Sequence, residues 1–130
     1  MRRLTRLQRL AHDEDGFSLV FVGLCFMALL GVSMLAIDVG MLMTARSQAQ
    51  NSADAGALAG ATALVWNNYD DRSASGPAVT NALAAARGNQ VMGTTVSVTV
   101  PDVTFPLSPA GLNNRVRVNV FRTAARGNPV

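Results

Sequence analysis

From Phe17 to Ile37 the chain reads FSLVFVGLCFMALLGVSMLAI, 21 residues without a charge. No other feature restricts the fold as severely. A helix of that length spans about 32 Å, close to the ~30 Å hydrocarbon core of a bilayer. Twelve of its residues are Leu, Ile, Val or Phe. At roughly −0.3 to −0.6 kcal/mol each near the bilayer centre, they supply a gross insertion energy on the order of −4 to −7 kcal/mol. A single central Asp would cost about 3 kcal/mol, so Asp38 marks the end of the span. A cleaved secretory signal has a shorter apolar core, about 7–15 residues, and a small-residue cleavage site. Here the run is longer and continues into helix-forming sequence without a break, which favours a permanent anchor. The sole cysteine, Cys25, lies inside the run. It has no disulfide partner and no metal-ligand spacing, and Leu24 stands where a lipid-modified cysteine needs a small residue.

The flanks orient the span. Arg2, Arg3, Arg6 and Arg9 precede it, whereas Arg46 stands alone on the far side. Excess positive charge stays in the cytoplasm, so the N-terminus is expected inside and the remainder outside a bacterial inner membrane. The acids Asp13, Glu14 and Asp15 count for little in that rule. All eleven basic residues are arginine and the formal net charge is +3. The arginines are scattered or tied to the membrane flank and lack interleaved aromatics, so the basic balance does not describe a nucleic-acid surface.

No proline interrupts Asp38 to Asn67. Its residues are mostly good helix formers, Ala foremost, and the spacing predicts one helix from near Phe17 to near Trp66. Within it Ala45, Ala49, Ala53, Ala57 and Ala61 recur every four residues, as do Gln48, Ser52, Gly56 and Gly60. Residues four apart are neighbours on a helix surface, so two ridges of small side chains form a flat strip. GALAG, Gly56 to Gly60, is a small-xxx-small pattern of the kind used for close helix packing. Gly40, Gly56 and Gly60 each cost about 1 kcal/mol relative to Ala in an exposed helix, a cost tolerated where a second backbone comes close. Against this stands a bland Ala-rich helix, but such a helix buries too little surface to stay ordered alone. Arg46, Gln50 and Asp54 are spaced four apart and are expected to act as hydrogen-bonding register marks against a partner.

In DVGMLMTARSQAQNSADAGALAGA the chain resembles the N-terminal module of the TadE/TadG-like proteins of tight-adherence (Flp-type) pilus assembly. The family pattern is an apolar span, then Asp-x-Gly, Ala-Arg and Gln-Asn-Ala-Ala-Asp-Ala-Ala-Ala-Leu-Ala. Asp38 and Gly40 match, then Ala45 and Arg46, then Gln50, Asn51, Ala53, Asp54, Ala55, Ala57, Leu58 and Ala59. Ser52 and Gly56 replace alanines and keep the positions small. The resemblance runs from about Asp13 to Ala63. It implies a membrane-anchored component that helps build or anchor a thin adhesive pilus, without catalysis of its own. Its implied partners are the lipid bilayer and other pilus-assembly or pseudopilin subunits, with a homo-oligomer admitted. Some relatives are pseudopilins cut after a Gly, with Glu at the fifth mature position. Gly16 followed by Phe17 is the candidate processing site, but Phe21 occupies the fifth position.

After the long helix, NNYDDRSASGP (Asn67 to Pro77) has linker composition. A second helix is expected to start at Pro77, with Val79, Leu83 and Ala86 on its apolar face and Gly88 at its end. TTVSVTV (Thr94 to Val100) and RVRVNVF (Arg115 to Phe121) alternate cleanly and predict two antiparallel strands with valines inward. Between them an extra short strand near Val103 to Phe105 is admitted by the length of the connection. Fully burying six valines yields on the order of 10–15 kcal/mol, against about 1–2 kcal/mol of backbone entropy for each ordered residue. So small a core must lie on the long helix, bind a partner, or belong to a longer chain.

The expected fold is therefore α+β and membrane-anchored. A basic cytoplasmic stub (1–16) leads into a transmembrane helix (17–37), its extracytoplasmic continuation (38–67), and a small α/β region (68–130). No nucleophile–base pair, phosphate-binding loop or metal cluster is legible, His12 is the lone histidine, and no enzyme activity or cofactor is expected. Two other readings are a cleaved pseudopilin built into the pilus base and a periplasmic binding module released by signal peptidase.

Overall fold

The computed structural model describes residues 15–126. The N-terminal arginines, His12, Asp13 and Glu14, on which the expected stub and orientation rest, lie outside the described residues. Helix α1 runs from Asp15 to Trp66 and helix α2 from Pro77 to Gly88. Four two-residue strands follow: β1 (Gln90–Val91), β2 (Thr94–Thr95), β3 (Val103–Thr104) and β4 (Arg117–Val118). Short 3-10 turns cover Val100–Asp102 and Ala124–Arg126. This is an α+β arrangement with a long apolar N-terminal helix, a short helix and small antiparallel sheets. Its contacts divide it into two units, Met1–Met41 and Leu42–Val130.

In the first unit α1 is apolar on every side, and among the described residues nothing covers it. Leu19, Val20, Phe21 and Val22, successive residues that point in different directions around the axis, are all exposed. A helix that is hydrophobic all round needs either a protein interior or lipid around it. The helix is long and apolar enough to cross a membrane, with a mean hydropathy of 2.6 in its most apolar window. Ser33 turns its hydroxyl inward to the Leu29 carbonyl at 2.8 Å, which removes a polar group from the apolar surface.

The second unit is built on the alanine- and glycine-rich part of α1. Helix α2 starts as its sequence predicts, with Pro77 in the first turn, where its missing N–H costs nothing. Ala78, Val79, Ala82, Leu83 and Ala86 form its buried face. Its end differs from expectation. Gly88 is the last helical residue, and the chain leaves through Asn89 in an extended conformation, its N–H bonded to the Ala86 carbonyl, instead of through a left-handed glycine. The core joins Val79, Leu83, Val91, Val96, Val98, Val103 and Val118, and Ala45, Ala49 and Ala57 of α1 pack against it. So small a valine core lies on the long helix, one of the three completions expected of it.

The strand pairing corrects the expectation of one hairpin between residues 94–100 and 115–121. β1 and β2 instead form their own tight hairpin with Val91 opposite Thr94. Its two loop residues, Met92 and Gly93, both have positive φ, at 52° and 75°, the backbone required by a turn whose twist matches the flanking strands. The run then leaves the ladder. Val96 and Val98 are buried as expected, but the Val98 carbonyl is taken by Arg87, whose Nε and Nη2 donate at 2.9 and 2.6 Å. A carbonyl held by a guanidinium is not available to a neighbouring strand. Val100 turns outward in the 3-10 segment and does not join the inward face. The partner of β4 is β3, with Val103 opposite Val118. The short strand expected near Val103 thus takes the pairing assigned by sequence to the longer one.

Candidate packing faces of the long helix

The motif residues of α1 sort onto two faces. On one face Ser52, Gly56 and Gly60 are buried, each four residues from the next. A β-carbon on Gly56 would stand 2.9 Å from the Ala82 carbonyl and 3.0 Å from the Ala86 methyl. On Gly60 it would meet the Val116 side chain at 3.0 Å and the Ala78 carbonyl at 3.1 Å. The matching residues of α2, Ala78, Ala82 and Ala86, also recur every four positions. Two ridges of minimal side chains therefore lock together with near-backbone contact. Ser52 completes the seam: its hydroxyl donates to the Ala86 carbonyl at 2.8 Å in a buried position. Ser52 and Gly56 are the two positions where alanine is replaced in the motif, and both receive α2. The closely approaching backbone here comes from the same chain.

Gln48 extends the same seam. Its Oε1 accepts the Met92 N–H at 2.7 Å and so ties the β1–β2 loop to α1. Nothing in the alternation of nearby residues announces this contact, because it links positions 44 apart.

The other face carries the polar motif. Arg46, Gln50, Asn51 and Asp54 are exposed, and Ala53 and Ala57 are half-buried at its border. Further along α1, Leu58, Val65 and Trp66 are 71%, 75% and 81% exposed. An open groove of about 530 Å³ is lined by Ala55, Leu58, Ala59, Thr62, Trp66 and Asn81 among others. Asp38 and Gly40 lie in the first unit on the exposed helix, and a β-carbon on Gly40 would meet open space. Gly16 and Phe17 sit exposed in the first turn of α1.

Elsewhere in the second unit one buried carboxylate organises the last described segment. Thr99 and Asp102 form a reciprocal cap on the 3-10 turn. The Asp102 Oδ2 accepts from the Thr99 N–H at 2.8 Å and its hydroxyl at 2.7 Å. Arg126 Nη1 donates to both carboxylate oxygens, at 2.8 and 2.9 Å. Burial alone raises the Asp102 pKa; the Thr99 hydroxyl and N–H and the Arg126 guanidinium outweigh it and hold the carboxyl below its ordinary range. The Thr-x-x-Asp spacing was the available sequence signal for the cap; the arginine 24 residues on gave none.

The elements define a class of α+β chain with a long apolar N-terminal helix, a short helix and small antiparallel sheets. Within that class, residues 16–63 match the family model Tad, TadE/G-like Flp pilus assembly. The match covers the apolar run and both faces of the motif, and it shows the resemblance read from the residues. Neither the curated proteins nor the solved structures contain a match to this chain.

Proposed function

We propose that the protein is a non-enzymatic, membrane-anchored component of Flp-type pilus assembly, packing against other assembly subunits through the free face of α1. The apolar segment holds it in the cytoplasmic membrane with the N-terminus inside, in keeping with the four arginines before the span and the lone Arg46 beyond it. The observation that carries this reading is the coincidence of the family match with the sorting of the motif. The small residues are consumed by the chain's own α2, while Gln50, Asn51 and Asp54, and further along the helix Leu58, Val65 and Trp66, are left in solvent. Large exposed side chains, tryptophan above all, are the usual anchors of protein interfaces. Exposed apolar clusters on soluble units mark such contacts.

Two measurements on the full-length chain test the proposal. Protease protection in spheroplasts with a tag at each end is expected to shield the N-terminal tag and expose the C-terminal one. Leu58→Asp together with Trp66→Ala is expected to abolish surface pili while the protein stays membrane-inserted and folded. Normal pili in that double variant would defeat the role given to this face, and an accessible N-terminal tag would defeat the topology.

A further inference from the structure

We propose that the groove between α1 and β4 docks a second copy of this chain in a two-fold symmetric dimer, closed by reciprocal ion pairs between Asp54 and the two arginines at and just before β4, Arg117 and Arg115. The groove has an apolar floor that includes Ala53, Ala57 and Val118; Asp54 borders it on the helix side, Arg115 and Arg117 on the strand side. All three charged side chains are exposed. Among the described residues none of the three enters an ion pair or hydrogen bond through its side chain. Opposite charges thus flank one open groove without meeting inside their own chain. A two-fold axis running along α1, midway between helix and strand, resolves this. It carries Asp54 of one copy onto Arg115 and Arg117 of the other, and the reverse, as a self-complementary interface requires. The small floor residues let the two surfaces approach closely.

The charge pattern also selects this groove over the adjoining side of α1. A two-fold contact through Asn51, Leu58 and Val65 would bring the two Asp54 carboxylates towards each other, like against like, which opposes association. An axis along α1 sets the two helices parallel, the sense that two copies anchored in one bilayer by the same segment must share. That last point rests on the membrane-anchored reading above; the charge argument does not.

The test uses the full-length chain in membranes of cells that lack other pilus-assembly subunits, so that its outcome is separate from the presence of pili. Ala53→Cys in a Cys25→Ser background is expected to give a disulfide-linked dimer on mild oxidation. Asp54→Arg, or Arg115→Asp with Arg117→Asp, is expected to cut the cross-linked fraction about tenfold by placing like charges opposite each other. Combining the three reversals restores opposite signs and is expected to recover the dimer. That recovery separates a charge effect from misfolding. A monomer throughout, a cross-link indifferent to reversal, or a combined variant that fails to recover would each overturn the proposal.

Discussion

The carbonyl oxygen of Ala82 lies 2.9 Å from the place where a β-carbon on Gly56 would stand. Real β-carbons do not approach a carbonyl so closely, so the crossing of α1 and α2 depends on this glycine having no side chain. Glycine in an exposed helix interior costs about 1 kcal/mol relative to alanine; here it permits a contact that alanine would forbid. Gly56→Ala is therefore expected to destabilise the folded unit by about 1–3 kcal/mol, the usual cost of forcing a methyl group into a packed core, despite the better helix propensity of alanine. Denaturant unfolding of the detergent-solubilised chain measures it. Gly40→Ala, where a β-carbon meets open space, is the matched control and should be neutral or slightly stabilising.

Ser52 is expected to contribute a smaller amount. Its hydroxyl donates a buried hydrogen bond to the Ala86 carbonyl, which also accepts the Asn89 N–H. Ser52→Ala removes one of two donors, leaves no unpaired group behind, and should cost about 0.5–1.5 kcal/mol. A loss well above that range would mean that the serine does more than join the two helices.

The Asp102 carboxyl gives the second unit a pH dependence of definite sign. Its folded pKa lies below the ordinary value, so its bonds to Thr99 and Arg126 stabilise the fold above the ordinary carboxylate range. That stabilisation is lost as pH falls through the lowered folded value. Unfolding midpoints taken from pH 7 downward are expected to decline more steeply in the natural protein than in Asp102→Asn. Parallel curves would remove Asp102 from the account.

The Leu58 and Trp66 substitutions have a stability corollary. Both side chains are mostly solvent-exposed, so replacing them is expected to shift unfolding by no more than about 0.5 kcal/mol each. A thermal melt of each variant checks this. A larger loss would place these residues in the fold and take away their reading as an interaction face.

The long helix was legible in the residues because its cause is local. An uncharged apolar run and a proline-free, alanine-rich continuation dictate helix wherever they are placed, and α1 ends at Trp66 as expected. Pro77 likewise announced α2. The strand pairing was not legible. Alternating valines specify which side chains turn inward, but Val103 and Arg117 were both available to pair with other partners. The choice went to whichever carbonyls Arg87 and the hairpin at Met92 left free.

The periodicity of Ser52, Gly56 and Gly60 alone determined that this side of α1 is a ridge of small side chains open to close approach, because helix geometry brings residues four apart onto one ridge. Which backbone arrives there was decided by the tertiary structure. The Asn67–Gly76 connection returns the chain so that Ala78, Ala82 and Ala86 fill the ridge, and Ser52 binds Ala86 from 34 positions away. A spacing of four encodes a face, whereas the occupant of that face depends on contacts between distant segments, which no local pattern contains.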